Sequence, residues 1–143
     1  GVLFAAFVDG LTNLQVLQKD LIVGAFLYYF LGSVVSRVGS LVVEPILRRT
    51  KFLSFAPYGA FVKAAKADPK IELLSEVNNM YRTFVALFLS VAIVALYSKA
   101  SNYFPFLHAA APWVCIVGLF GLFLMSYRKQ TDYVVKRVEA NKP

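Results

Sequence analysis

The chain has few of the residues that build catalytic, metal or disulfide sites. Its 143 residues include one cysteine, one histidine and one tryptophan. Cys115 has no second cysteine to pair with, and His108 has no nearby Ser, Cys or carboxylate for a triad or a metal site. Asp9 and Asp20 have no recognisable partner for acid/base work. We therefore predict a protein that is not an enzyme and that has no metal and no cofactor.

Acidic residues are also scarce, with eight Asp and Glu against fifteen Lys and Arg, and the formal net charge is +7. In a soluble protein this surplus would direct attention to nucleic acid. Here the basic residues flank apolar segments, which is typical of cytoplasmic loops that face anionic lipid headgroups. An oligoanionic ligand is the alternative partner.

Apolar residues are abundant instead. They make up 59% of the chain, and the mean hydropathy is +0.63. A soluble domain has about 45–50% apolar residues, and a chain this short buries only about two thirds of its surface in water. The composition predicts an all-α integral membrane protein that forms a single transmembrane domain over residues 1–143.

Three apolar runs are candidates for membrane-spanning helices, because about 20 apolar residues cross the hydrocarbon core. Glu44 and Pro45 are expected to close or kink the first run, since proline lacks an amide hydrogen. Pro112 is expected in the first turn of the third helix. The predicted spans are residues 21–43, 83–97 and 113–127.

The remaining segments are predicted to connect or extend these spans. In the connector 48–82, residues 52–69 suit a short interfacial helix, and the spacing of apolar residues from Ile71 predicts a helix that continues into the second span. An aromatic loop at 98–112 and a helical tail at 128–143 follow. Residues 2–8 are too short to span, so they predict a re-entrant helix, an interfacial helix or the remnant of a fourth span, at an N-terminus that is expected to be incomplete.

Loop charges predict the orientation. Residues 48–82 carry seven Lys or Arg and the tail from 128 carries five, whereas residues 1–20 and 98–112 carry one each. By the positive-inside rule, the connector and the tail are cytoplasmic. We predict a multi-pass protein of a bacterial inner membrane.

Six residues form a polar stripe on the first span, within an arc of about 100° at 3.6 residues per turn. In one interpretation, copies of this helix line a pore, with serines on the wall and rings of charge from Arg37 and Glu44. In the other, Gly32, Ser36 and Ser40 allow close helix packing, and Arg37 extends to the cytoplasmic edge. The stripe comprises Tyr29, Ser33, Ser36, Arg37, Ser40 and Glu44.

Three further groups have a structural and a functional interpretation. Gly118 and Gly121 are interpreted as a second close-packing face. A polar helix face before the second span is either solvated or part of a cytoplasmic vestibule: Asp68, Glu72, Ser75, Asn79 and Arg82. A basic patch is expected to contact anionic lipid or a nucleotide: Arg48, Arg49, Lys51, Lys63, Lys66 and Lys70.

Three stretches resemble small multi-pass bacterial membrane proteins that are found beside anti-phage defence genes. They read LYYFLGSVVSRVGSLVVEPILRRTKFLSFAPY, SEVNNMYRTF and SYRKQTDYVVKRVE, between residues 27 and 139. The chain is similar to the channel effector of Hailong-type systems, in which a nucleotidyltransferase makes oligodeoxyadenylates that control the channel. The membrane component of Kiwa-type systems is the second candidate.

The resemblance implies a homo-oligomeric channel that stays shut until infection and then opens to depolarise the membrane, as an effector of abortive infection. It also implies an oligonucleotide ligand for the basic patch, or a soluble nucleotidyltransferase as partner. The alternative is a membrane scaffold that does not conduct ions and recruits a soluble partner through its basic cytoplasmic face.

Overall fold

A computed structural model describes residues 1–141, and these residues form five helices and no strand. Lys142 and Pro143, the end of the predicted tail, lie outside the described residues. The second, fourth and fifth helices are each long and apolar enough to cross a membrane. This confirms the all-α class with three helices of spanning length. The helices are α1 (Val2–Leu11), α2 (Leu21–Arg49), α3 (Tyr58–Ala67), α4 (Lys70–Tyr103) and α5 (Phe106–Ala140).

One alternative of the sequence prediction was that Glu44 and Pro45 close the first helix. Helix α2 instead continues past Pro45 to Arg49. It begins after Asp20, whose carboxylate accepts hydrogen bonds from the N–H groups of Ile22 and Val23, a typical N-cap. Before the proline the helix widens into a π-helical turn, Gly39–Val43, and then continues as α-helix to its end. Pro45 is tolerated there because it lies at the start of the α-helical segment after the π turn, where its missing N–H costs little.

Helices α4 and α5 are joined by a much shorter turn than the predicted loop 98–112. Helix α4 runs to Tyr103, and α5 begins at Phe106 directly after Pro105. The Tyr97 hydroxyl donates to the Leu107 carbonyl oxygen at 2.6 Å and ties the two ends together. Because the helix starts this early, Pro112 lies inside α5 and not in its first turn, which corrects the prediction.

The other predicted helices are found. Residues 58–67 form α3 within the connector, helix α4 runs without interruption from the connector into the second span, and α5 continues through the described part of the tail. These continuous helices place basic residues of the connector and of the tail at the same end of the bundle. We call this the basic end.

Helix α1 packs against α2 and α4, with Ala5 and Val8 buried. Its ten residues reach about 15 Å, half of the hydrocarbon thickness. The Asp9 carboxylate accepts hydrogen bonds from the N–H groups of Val16 and Leu17 and so folds the following loop back onto the helix. Sequence analysis found no partner for Asp9, because its partners are backbone groups of a loop.

The core lies between α1, α2 and α4, whereas α5 contributes little to it. Its buried residues are mostly small or β-branched, which lets the helices approach closely. Leu87 is the one larger member of this set: Val8, Val35, Val43, Ala86, Leu87 and Val91. Within its most apolar 18 residues, α5 is only 6% buried, against 17% for α4. Most of the apolar surface of α5 is therefore left for lipid or for another chain.

Candidate functional site

A buried carboxylate organises the basic end of the bundle. Glu44, on α2, is 8% exposed, and its Oε2 lies 2.6 Å from Nη1 of Arg82 on α4. Its Oε1 lies 3.6 Å from Nζ of Lys129 on α5, and 4.0 Å from Nη1 of Arg48 one turn further along α2. An ion pair removed from water is retained only where several partners satisfy the charge. This carboxylate therefore joins all three long helices.

The π turn supplies a second contact for Lys129. Its geometry directs the Glu44 N–H to the Gly39 carbonyl oxygen, five residues back, and away from the Ser40 carbonyl that an α-helix would use. The next residue, Pro45, has no N–H to offer. Lys129 Nζ donates instead to the Ser40 carbonyl oxygen at 2.7 Å and to the Ser40 Oγ at 2.9 Å.

A close approach of two helices holds this arrangement in register. A Cβ added at Gly39 would lie 3.2 Å from the Arg82 carbonyl oxygen and 3.3 Å from the Ala86 Cβ. A Cβ at these distances would push the neighbouring atoms away by a few tenths of an ångström, so glycine lets α2 and α4 meet closely at the π turn. Arg82 is thereby placed beside Glu44, which lies at the end of the π turn that begins with Gly39.

A basic cavity of about 1120 Å³ opens beside this network. Five basic residues line it, against the two acidic residues Glu44 and Asp132. Aromatic and aliphatic side chains make up much of the remaining wall, including Phe55, Tyr58 and Leu74. Binding pockets commonly combine such apolar walls with a few convergent charges. The basic residues are Arg37, Arg48, Arg82, Lys129 and Lys136.

Helix α3 covers one side of the basic cavity. It is held to the end of α5 by the ring pair Tyr58–Tyr133, with centroids 5.8 Å apart, and by a 2.5 Å hydrogen bond from Lys66 Nζ to Asn141 Oδ1. Burial, reinforced by the Glu44 carboxylate, raises the pKa of the Tyr133 hydroxyl. Tyr133 therefore stays neutral at physiological pH and presents its ring 5.8 Å from the Lys129 ammonium.

The polar stripe becomes progressively more buried toward the basic end. Tyr29 is 81% exposed, Ser33, Ser36 and Arg37 are half-buried, and Ser40 and Glu44 are buried. Arg37, Ser40 and Glu44 line the basic cavity. Within one copy, the ion partners of Glu44 in the described residues are Arg82, Lys129 and Arg48, and Arg37 is not among them.

The predicted glycine contacts have different surroundings. A Cβ at Gly32 would lie 3.1 Å from the backbone nitrogen of Gly1, so α1 approaches closely there. At Gly118 and Gly121, an added Cβ would meet no atom within 4 Å in the described chain. Close packing at those two positions would need a second molecule, and it stays a prediction. Gly39, which lets α2 approach α4 closely, was not singled out from the sequence.

The basic patch and the basic cavity are largely different surfaces. Of the patch, only Arg48 lines the cavity. Its other members are exposed on the outside of the basic end: Arg49, Lys51, Lys63, Lys66 and Lys70. On the predicted polar face of α4, Ser75, Asn79 and Arg82 line the cavity, whereas Asp68 and Glu72 do not. These three residues of the face therefore lie where the vestibule interpretation expects them, on the wall of a cavity.

No family model, no curated protein and no solved structure matches the chain. Within residues 1–141, no cluster of His, Cys, Asp and Glu has the arrangement of a metal site. The site is thus defined by its own geometry, which is a water-accessible basic cavity beside a buried carboxylate at one end of three apolar helices.

Proposed function

We propose that this protein forms a homo-oligomeric ion channel in a bacterial inner membrane, with the basic end on the cytoplasmic side. Arg37 carries the argument. It lies inside the first apolar helix, and a charged side chain that faces lipid is unfavourable there, with a cost that reaches at least about 2.5–3.5 kcal/mol near the centre of the bilayer. Its half-buried side chain faces the basic cavity instead. Water that enters this cavity reaches membrane depth.

Assembly of several copies would complete such a water path. A single copy leaves Tyr29, Ser33 and Ser36 partly exposed along α2, beyond the cavity toward the opposite end. Lipid is a poor environment for these groups, whereas the same helices of neighbouring copies would enclose them. The largely exposed α5, with Gly118 and Gly121, offers a surface for that assembly.

We propose further that the channel is the depolarising effector of an anti-phage defence system and responds to a nucleotide or oligonucleotide signal. The family resemblance and the exposed basic patch support this part. Clustered lysines and arginines outside the cavity attract phosphates through charge. A soluble nucleotidyltransferase would be the source of the signal.

The second candidate is a scaffold that does not conduct ions and recruits a soluble protein through its basic face. The bonding of Ser40 and Glu44 within one copy favours it, because both are buried and already occupied by Lys129 and Arg82. In a scaffold, this network would fix the shape of the docking face and would not form rings of charge.

Ion flux from liposomes that contain the purified protein tests the proposal, with the oligomeric mass measured in the same detergent. A channel gives flux from a defined homo-oligomer. A monomer or dimer without flux, with and without added oligodeoxyadenylate, would contradict it. Affinity purification from cells then separates the alternatives, because a scaffold retains a stoichiometric soluble partner.

A further inference from the structure

The basic cavity holds more positive charge than its own carboxylates neutralise. Glu44 forms ion pairs with Arg82 and Lys129, and its nearest oxygen lies 4.0 Å from Arg48 Nη1. In the described part of the chain, no carboxylate oxygen lies within 4.0 Å of a charged nitrogen of Arg37 or Lys136. These two cations lie on different helices, α2 and α5, and both line the cavity.

A donor group in the cavity wall is also without an acceptor. Arg82 donates a hydrogen bond from Nη1 to Glu44, but its Nε–H is buried and has no hydrogen-bond partner within residues 1–141. Buried donors are normally satisfied by protein, by water or by a ligand. The guanidinium of Arg82 therefore keeps hydrogen-bonding capacity beyond its ion pair.

Much of the remaining wall of the cavity is apolar, although polar residues such as Ser75 and Asn79 also line it. Leu47, Leu53 and Leu74 face the same space as the cations, and the ring of Phe55 packs 5.2 Å from the Arg48 guanidinium. A free inorganic anion would satisfy the charges and leave this apolar surface wet. A ligand that joins an anionic group to an apolar body satisfies both.

The position of the cavity along the helices identifies the ligand class. Arg37 precedes the end of the first apolar run, Arg82 immediately precedes the second, and Lys129 follows the third. Lipid headgroups lie at this depth in a protein that spans a bilayer, and basic residues there attract anionic lipids. The cavity thus extends from the headgroup level, at Arg82 and Lys129, to Arg37 inside the first apolar run.

From these observations, we propose that the basic cavity binds the phosphate of one anionic phospholipid per copy, between Arg37 and Lys136, with its acyl chains leaving along the apolar helices. The proposal rests on the membrane insertion proposed above but not on ion conduction. It differs from lipid attraction by the exposed basic patch, because it assigns a stoichiometric site to residues inside the cavity.

Native mass spectrometry of the full chain in detergent, with added phosphatidylglycerol, tests this site. The wild-type protein should retain one phosphatidylglycerol per copy and little phosphatidylcholine. Replacing both cations, Arg37→Gln with Lys136→Gln, should weaken retention roughly thirtyfold, because each basic residue near headgroups contributes roughly a fivefold factor and the two factors multiply. The matched control, Arg128→Gln with Arg137→Gln, changes two exposed arginines of α5 outside both the cavity and the basic patch and should keep the lipid.

Two further variants keep the test decisive if the double variant does not fold. Lys136→Gln alone changes an exposed side chain and should weaken retention by roughly half as much on a logarithmic scale. The charge-conserving pair Arg37→Lys with Lys136→Arg should retain the lipid. The proposal would be overturned if Lys136→Gln retained phosphatidylglycerol as well as the wild type does. It would also be overturned if the wild type retained phosphatidylcholine as well as phosphatidylglycerol.

The source of the phosphate is separated by competition. Glycerol phosphate, inorganic phosphate and oligodeoxyadenylate are each added to the complex with phosphatidylglycerol, and the lipid should remain bound. Displacement of the lipid by a soluble phosphate compound would assign the cavity to that compound and overturn the lipid assignment. Absence of ion flux would refute the channel and leave this result standing, so the two failures are distinguishable.

Discussion

Glu44 and Arg82, 38 residues apart in the chain, meet at 2.6 Å beside a close approach of α2 and α4. Gly39 makes that approach, and the π turn that contains it places Glu44 on the side of α2 that faces Arg82 and Lys129. The pair fixes the spacing of the helices at the basic end, and therefore the shape of the cavity beside it.

Removing the carboxylate should destabilise the protein. Glu44→Gln keeps the shape of the side chain but leaves Arg82 and Lys129 without their counter-ion. Breaking a buried pair costs about 3–5 kcal/mol, and we expect about 2–3 kcal/mol because both cations are about a quarter exposed. Chemical denaturation in detergent measures the effect. Glu139→Gln, at an exposed residue outside the network, should change little, and equal effects of the two substitutions would contradict the account.

The contact between Lys129 and Ser40 should depend on the missing amide hydrogen of Pro45. Lys129→Met leaves the Ser40 carbonyl without its donor and should cost about 1–3 kcal/mol. Pro45→Ala supplies an N–H group within the same turn, so it should stabilise the Lys129→Met protein more than the wild type. Denaturation of the two single variants and the double variant gives the coupling energy. Strictly additive effects would show that the π turn does not free this carbonyl for Lys129.

The two glycine environments predict opposite outcomes. Gly39→Leu forces a side chain into the Arg82 backbone and Ala86, and overpacking of this kind costs about 1–3 kcal/mol. An added Cβ at Gly118 meets no atom within 4 Å in the described chain, so Gly118→Leu should leave the fold of one copy intact. Thermal unfolding in detergent, with the oligomeric mass, measures both. A shift from oligomer to monomer in Gly118→Leu alone would place that helix face in the interface between copies.

Orientation can be tested with cysteine labelling. In a Cys115→Ser background, Asn102→Cys near the α4–α5 turn should react with an impermeant thiol reagent in intact spheroplasts. Ser54→Cys, in the connector at the basic end, should react only after permeabilisation. Labelling with the reverse pattern would contradict the positive-inside assignment, and with it the cytoplasmic position of the basic cavity.

The helices could be predicted from the sequence because apolar runs and three- and four-residue spacing are local signals. The π turn at Gly39–Val43 could not, since it depends on how α2 packs against Arg82 and Ala86. The turn between α4 and α5 was predicted too long because the aromatic composition of residues 98–112 suits either an interfacial loop or helix ends. The basic residues of the connector and the tail still lie together at the basic end, so the shorter turn does not change the predicted orientation.

The candidate site was predicted only in part. The stripe identified Ser40 and Glu44 as polar residues on an apolar helix, and the polar face of α4 included Arg82. Their pairing could not be predicted, because fifteen Lys and Arg were available to eight acids and the observed partners lie 38 and 89 residues apart. Lys129 was counted only among the five basic residues of the tail. Its contact with a backbone carbonyl left no signal in the sequence beyond Pro45.

The central claim is that water reaches Arg37 along a path that conducts ions. Reversal potentials in planar bilayers under a salt gradient test it most directly, on the wild type and on Arg37→Glu, with Lys99→Glu at the opposite end of α4 as the control. The account predicts that Arg37→Glu shifts the reversal potential toward cation selectivity and that Lys99→Glu shifts it much less. An unchanged reversal potential and conductance in correctly assembled Arg37→Glu protein would contradict it.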